Sequence, residues 1–360
     1  MGSIAVVGAG NVGLAIAGHM ALNGHDVRLY DPWDKALAAV EANEGIGLTG
    51  DIEGRGRPTV LTTEFEAAIR DAEVIVVAAP AFSHQDVANR LAPILKPDQI
   101  VLFQPGAIGS SIHLLRQFTE PGKTPCFVAE TPTSLYTCRK KSSTEVYIGA
   151  IKHSVRIAAL PNETTDYCVD VLNGYFGGRY EAGTNALGVG LNNANPIYHV
   201  PPSVLNFKTV EEGRELPLHS LVTPRIAHVV DLMDKERLAV ADALGVTCMS
   251  FWEFLKTAYG VTDGDFQDRI AQAYGKQGFP EPDSPKHRYF TEDIPFGMVP
   301  WLSLAREADV SVPIIESLTA LGSALCQQDF ISTGRTMASL GLQGAGREGI
   351  RRAFVEGIVR

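Results

Sequence analysis

The first half of the chain alternates short apolar runs with longer stretches of helical spacing. Residues 4–7, 26–30, 59–62, 74–78, 99–103 and 125–129 predict strands, and their near-continuous apolar character fits strands buried on both faces. Between them lie helical patterns, such as the one around Val87, Leu91 and Ile94, so a parallel sheet covered by helices is expected. Residues 144–150 and 154–160 flank a short turn and predict a hairpin extending that sheet, followed by a helix through Tyr167, Val171 and Leu172. From about residue 185 the spacing becomes long and helical. Ile226, Val229, Val230 and Met233 stand at the i, i+3, i+4, i+7 positions of one buried helix face, and residues 312–327 predict another helix. Pro-rich and aromatic connections across 280–300 separate these helices. The expected fold class is α/β over residues 1–182 joined to an all-α domain over 183–360, the boundary lying in the turn-like stretch between Glu181 and Thr184.

The first predicted strand carries a specific signal. It runs straight into Gly8-Ala9-Gly10-Asn11-Val12-Gly13, a helical pattern follows, and the second strand closes on Asp31. Gly8 permits the tight turn, Gly10 lets backbone approach a pyrophosphate, and Gly13 lets helix and strand pack closely. The helix start at Asn11 and Val12 offers unpaired N–H groups to phosphates. In this strand–turn–helix context the glycines define a Rossmann dinucleotide-binding domain. Asp31 suits the ribose hydroxyls of NAD and repels the 2′-phosphate of NADP, so NAD is favoured; Lys35 softens that repulsion. Two further strands end at Ala79-Pro80-Ala81 and Gln104-Pro105-Gly106-Ala107, where an open α/β sheet binds its ligands, which places Pro80 at the cofactor.

Composition narrows the classes. The 360 residues, 45% hydrophobic and 20% charged, suit a soluble globular protein of two domains. A formal charge of −10 argues against nucleic acid, and the compact basic run Arg139-Lys140-Lys141 reads as a solvated turn. The apolar stretches fall short of a membrane span, and the chain enters a strand at once, leaving no room for a signal peptide. Five scattered cysteines without metal-ligand spacing read as reduced, mostly buried thiols, so a cytoplasmic protein with no metal is expected.

The second half supplies candidate chemistry. A dehydrogenase needs proton exchange near the carbon that accepts hydride, and histidine titrates near working pH. His199 lies in the proline-bounded segment Asn195-Pro196-Ile197-Tyr198-His199-Val200-Pro201-Pro202. Asp293 can hold the other ring nitrogen, and Arg288 can grip a substrate carboxylate with its planar fork. Each also has a plainer reading: His199 as a hydrogen-bonded core histidine, Arg288 with Asp293 as a loop salt bridge. His287 reads as exposed, and the apolar stretch from Gly297 to Trp301 as packing behind this group. No GxSxG elbow points to a hydrolase.

Taken in order, the N-terminal glycine turn, Gln104-Pro105-Gly106-Ala107, Glu130-Thr131, the Asn195 to His199 segment and Arg288-Tyr289 with Glu292-Asp293-Ile294-Pro295 resemble the octopine/opine dehydrogenases, and in particular the bacterial N-(1-carboxyethyl)norvaline dehydrogenase type. The resemblance implies NAD(P)H-dependent condensation of an L-amino acid with an α-keto acid, commonly pyruvate. It makes His199 the proton-transfer residue, Asp293 its acidic partner, Arg288 the carboxylate anchor, and Gln104 and Thr131 residues near the nicotinamide. It also allows a homodimer, since such relatives include monomers and dimers. The absence of a strong acid cluster leans the amino donor towards an uncharged one.

Two other readings compete. A ketopantoate-reductase-like or hydroxyacid dehydrogenase shares the architecture but reduces one keto acid, generally with a second-domain lysine where this chain has a histidine. A non-enzymatic dinucleotide-binding protein would bind NADH and never oxidise it.

Overall fold

The computed structural model describes residues 2–118, 126–214, 216–275 and 282–357. It divides into two compact units: one runs to Gly190 and takes back the stretch from Arg352, and the other spans Leu191–Arg351. The expected boundary at 182/183 lies a few residues before this division. The reason is local: the Gly183 N–H donates to the Ile157 carbonyl at 2.6 Å, and a Cβ on Gly190 would stand 2.7 Å from Ile108. Residues 183–190 therefore pack with the first unit.

Among its described residues the first unit holds twelve strands in two sheets: β1 (Ser3–Val7), β2 (Asp26–Tyr30), β3 (Ile46–Gly50), β4 (Gly54–Gly56), β5 (Val60–Thr62), β6 (Val74–Val77), β7 (Ile100–Phe103), β8 (Phe127–Glu130), β9 (Tyr136–Lys140), β10 (Glu145–Ile151), β11 (Val155–Leu160) and β12 (Tyr180–Ala182). The eight-stranded sheet has the order β12-β11-β8-β7-β6-β1-β2-β5 and is parallel except where β11 meets β8. The expected strands form, with Pro125 lying outside the described residues. The central strands β6 and β7 are apolar throughout, and β1 is apolar from Ile4, as strands buried on both faces require.

The expected hairpin does not form. β11 enters the large sheet beside β8, whereas β10 joins a separate four-stranded sheet of order β4-β3-β10-β9. Their burial explains the split. Ile157, Ala158, Ala159 and Leu160 are all fully buried, as an interior strand requires, whereas β10 buries only Val146 and Ile148. The small sheet escaped the sequence reading because β3 and β4 are short and glycine-rich, and glycine carries no strand signal. It packs on the helix Asn11–Leu22: a Cβ on Gly56 would stand 1.9 Å from the Gly18 carbonyl oxygen. Covered on both sides, that helix buries nearly every residue from Gly13 to Met20, which accounts for its apolar circumference.

The second unit is helical throughout its described residues. Its long helices are Asn195–Leu205, Pro224–Ala243 and Pro313–Cys326, with shorter ones at Phe251–Tyr259, Phe266–Tyr274 and Val299–Ala308. A buried ion pair ties them. Arg237 Nη2 donates to Asp234 Oδ1 at 2.6 Å and to the Met249 carbonyl at 2.7 Å, while Nη1 donates to the Leu191 carbonyl at 2.6 Å. Asp234 Oδ2 accepts from the Phe251 N–H at 2.6 Å, so neither charge is left uncompensated. The segment expected as a connection up to Pro300 is instead helical from Arg288: a turn at Arg288–Thr291, a π-helix at Ile294–Met298, then Val299–Ala308.

Candidate active site

In the first unit the glycine turn sits at the carboxyl end of β1. Gly8 adopts φ 108°, outside the range of side-chain-bearing residues, and its N–H donates to the Tyr30 carbonyl at 2.8 Å. A Cβ on Gly13 would lie 1.8 Å from the Gly8 carbonyl oxygen, so helix and turn touch backbone to backbone. Above Gly10 there is open space for 4 Å. Gly10 and Asn11 are exposed, which leaves the helix N-terminus accessible to a phosphate, while Val12 turns to the core. Asp31 lies at the end of β2. Its Oδ2 accepts the Ala9 N–H at 2.7 Å and its Oδ1 the Trp33 N–H at 3.0 Å. The carboxylate is locked beside the turn, and each oxygen keeps a lone pair for a ribose hydroxyl. These residues fit a dinucleotide.

Beyond the neighbouring strands, Pro80 opens a short 3₁₀ turn on the surface after β6. Gln104 and Thr131 are both fully buried at the ends of β7 and β8. The Gln104 Oε1 accepts a short hydrogen bond from the Tyr180 hydroxyl, and its Nε2 has no hydrogen-bond partner among the described residues. Thr131 donates its hydroxyl to the Phe103 carbonyl at 3.4 Å. The sequence reading gave no role to His84, which bonds Ser110 Oγ at 2.7 Å and the Ala79 carbonyl at 3.0 Å and so links the ends of β6 and β7. Nor could it foresee that Glu130 is buried, accepting from both the N–H and the hydroxyl of Ser111 at 3.1 Å.

In the second unit, His199 sits in the middle of the helix Asn195–Leu205. Its Nδ1 meets Asp293 Oδ2 at 2.7 Å, and the two side chains are 13% and 4% exposed. The π-turn that begins after Asp293 is seated against this helix through Gly297, where a Cβ would fall 2.4 Å from Pro196 Cγ. A side chain there would push the aspartate's turn away from the histidine's helix. Trp301 packs fully buried behind it, as expected. The Tyr289 ring stacks on His199 at 3.7 Å and 19°, which restrains the imidazole plane.

His287 is half-buried rather than exposed. It caps the turn Arg288–Thr291, its Nδ1 accepting the Tyr289 N–H at 3.3 Å. Burial, with the nearby His199 next in effect, pushes its pKa down to about 4, so it stays neutral and leaves the local positive charge to others. Arg288 is half-exposed. Its Nε lies 3.3 Å from Glu292 Oε2 and its Nη2 3.9 Å from Asp293 Oδ1, so it pairs more closely with Glu292 than with the aspartate.

Among the described residues no group of three or more His, Cys, Asp or Glu side chains could hold a metal ion, and no helix is long and apolar enough to cross a membrane. The cysteines are free, but only Cys126 and Cys168 are fully buried, fewer than expected. Burial lifts the Cys126, Cys138 and Cys168 thiols to about 12. They are poor nucleophiles at neutral pH.

A dinucleotide-binding α/β unit joined to a helical unit with a buried His–Asp pair defines a two-domain NAD(P)-dependent oxidoreductase. Comparison with known proteins makes the class specific. Residues 182–326 match the family model for the α-helical domain of NAD/NADP octopine/nopaline dehydrogenase, and residues 4–159 match that for ketopantoate reductase PanE/ApbA. The chain is 30% identical to an opine dehydrogenase of Arthrobacter sp. (strain 1C), covering 97% of this chain and 98% of the relative. It is 29% identical to a vitopine synthase of Allorhizobium ampelinum, over 96% and 97% of the two chains. Its fold is similar to that of octopine dehydrogenase solved with NADH and L-arginine, with a TM-score of 0.82 at 18% identity over 100% and 99% of the chains. The chain belongs to the opine dehydrogenase family and is an NAD(P)-dependent oxidoreductase acting on CH–NH bonds.

Proposed function

We propose that this protein reductively condenses an α-keto acid, pyruvate in the first instance, with the amino group of an L-amino acid, with His199 and Asp293 managing the protons. The observation that carries this reading is the 2.7 Å contact of His199 Nδ1 with the buried Asp293 carboxylate. With Nδ1 held by Asp293, Nε2 is the nitrogen left to exchange protons.

The steps follow from the bonds that change. The amine lone pair attacks the keto carbon, and the carbonyl oxygen takes up a proton to give a carbinolamine. His199 as imidazolium donates the proton with which the carbon–oxygen bond breaks, water leaves, and the protonated imine forms with its positive charge on nitrogen. NADH, when bound, would supply the hydride that converts the protonated imine to the secondary amine and would itself become NAD+. Arg288 holds a substrate carboxylate through the planar fork of its guanidinium. The unpaired Gln104 Nε2 donor suits a carbonyl or carboxylate oxygen near the nicotinamide, and Thr131 completes that floor. Glycines 8, 10 and 13, with Asn11, Val12, Asp31 and Pro80, hold the dinucleotide, NAD before NADP. What supports these roles is the burial and pairing of His199 and Asp293, the burial of Gln104 and Thr131, the geometry of the glycine turn with Asp31, and the family likeness.

The test is NADH oxidation with pyruvate and a panel of L-amino acids added singly. Oxidation that requires both substrates supports the proposal. Oxidation with pyruvate alone would replace it by simple keto-acid reduction, and none with any pair would leave a dinucleotide-binding protein.

A further inference from the structure

The basic run Arg139-Lys140-Lys141 is not a solvated turn. Its residues 139 and 140 end β9, and the strand's alternation separates their side chains. Lys141 lies with its ammonium 5.4 Å from the Tyr147 ring centroid. The residues of the other parity form a row along the helix Asn11–Leu22. The Tyr136 hydroxyl meets His19 Nδ1 at 2.8 Å, Cys138 Sγ meets the Asn11 carbonyl at 3.4 Å, and Lys140 Nζ reaches the Ala9 carbonyl at 3.3 Å. The Lys140 N–H also donates to Asn11 Oδ1 at 3.0 Å. β9 thus delivers one ammonium to the turn whose exposed residues Gly10 and Asn11 form the dinucleotide cradle.

We propose that Lys140 is a cofactor-binding residue that donates to the pyrophosphate of the bound dinucleotide. Three observations converge. The ammonium has three donors and spends one on Ala9, leaving two. Lys140 pairs with no carboxylate among the described residues, so its charge is available. The opposite side of the same residue, the Ala9 N–H, is held by Asp31. Ala9 is thereby clamped between an anion on the ribose side and a cation. The glycine turn and helix N-terminus supply only partial charge against two phosphate charges, and the lysine adds a full one. The small sheet that covers the helix Asn11–Leu22 also positions that charge.

The test is direct binding, read by calorimetry and nicotinamide fluorescence, for NADH, NADPH, ADP-ribose and adenosine. Lys140→Gln should weaken NADH, NADPH and ADP-ribose alike, by roughly ten-fold, and leave adenosine unchanged. The dependence of NADH affinity on salt should become shallower, and Lys140→Arg should restore most of the binding. Lys140→Met, which keeps the apolar stem, repeats the measurement should the glutamine variant fold poorly. Unchanged NADH binding overturns the proposal. Weakening of NADPH alone overturns it by moving the lysine to the 2′-phosphate, and equal weakening of adenosine overturns it by reducing the residue to a packing role. These readouts do not involve the second substrate, so they stand apart from the opine reaction.

Discussion

The two units build their functional groups from different materials. In the first, the cradle is backbone: N–H groups of a short contiguous turn, shaped by glycines and steadied by Asp31. In the second, the proposed chemistry rests on side chains 94 residues apart, brought together by a helix and a π-turn packed on each other. Backbone recognition tolerates few residue types because glycines set its path over a few neighbouring positions. Side-chain chemistry tolerates many neighbours but depends on every contact that sets two elements in register. The two units should therefore fail in different ways when changed.

The largest expected effect is on turnover. His199→Ala should lower kcat by about 10²–10⁴ with both substrates saturating, and leave NADH affinity within about two-fold. Near-normal kcat removes the histidine from the mechanism, and a matching loss of NADH binding would erase the separation between the units. The converse is smaller. Gly13→Ala places a methyl 1.8 Å from the Gly8 carbonyl oxygen, so NADH affinity should fall by roughly ten-fold or more, measured by fluorescence titration. Affinity retained in that variant would show that the turn can open without cost.

The smallest effect is on acid stability, and each unit has its own sensor. Burial lowers His19 in the first unit and His287 in the second to about 4, from the usual value near 6.5. The unfolded chain therefore binds protons that the folded one refuses. The stability these two histidines contribute is present above about pH 6.5 and is lost as pH falls from there towards about 4. Both rings keep some solvent contact, so each effect should be about 1 kcal/mol, a few degrees in Tm between pH 7 and pH 5. His19→Gln and His287→Asn should each flatten part of that slope. A slope unmoved by both would assign acid sensitivity to other groups.

Legibility in the sequence followed the same divide. The glycine turn, Asp31 and the parallel strands were readable because each signal lies within a few neighbouring residues. The small sheet was not: β3 and β4 carry glycines, and β10 pairs with β3 across nearly a hundred residues rather than turning back with β11. The basic run was misread for the same reason, since nothing local in Arg139-Lys140-Lys141 shows that one ammonium reaches Ala9. His287 looked exposed beside Arg288, whereas the edge-on Tyr289 ring and the turn it caps shelter it. The segment up to Pro300 looked like a connection because prolines usually break helices, yet Pro295 and Pro300 stand at helix starts, where no donor is missed.

His199, Asp293 and Arg288 were named from residue type, order and family likeness, but their distances were not. Local chemistry settles which backbone can turn tightly, which strand must be buried, and which side chains can carry protons or charge, because these are properties of short segments. Only the folded chain settles that Asp293 holds His199, that Gly297 lets Pro196 close the gap, and that a second sheet brings Lys140 to the glycine turn. Those contacts join residues far apart in sequence, and packing geometry, not composition, sets the ångströms between them.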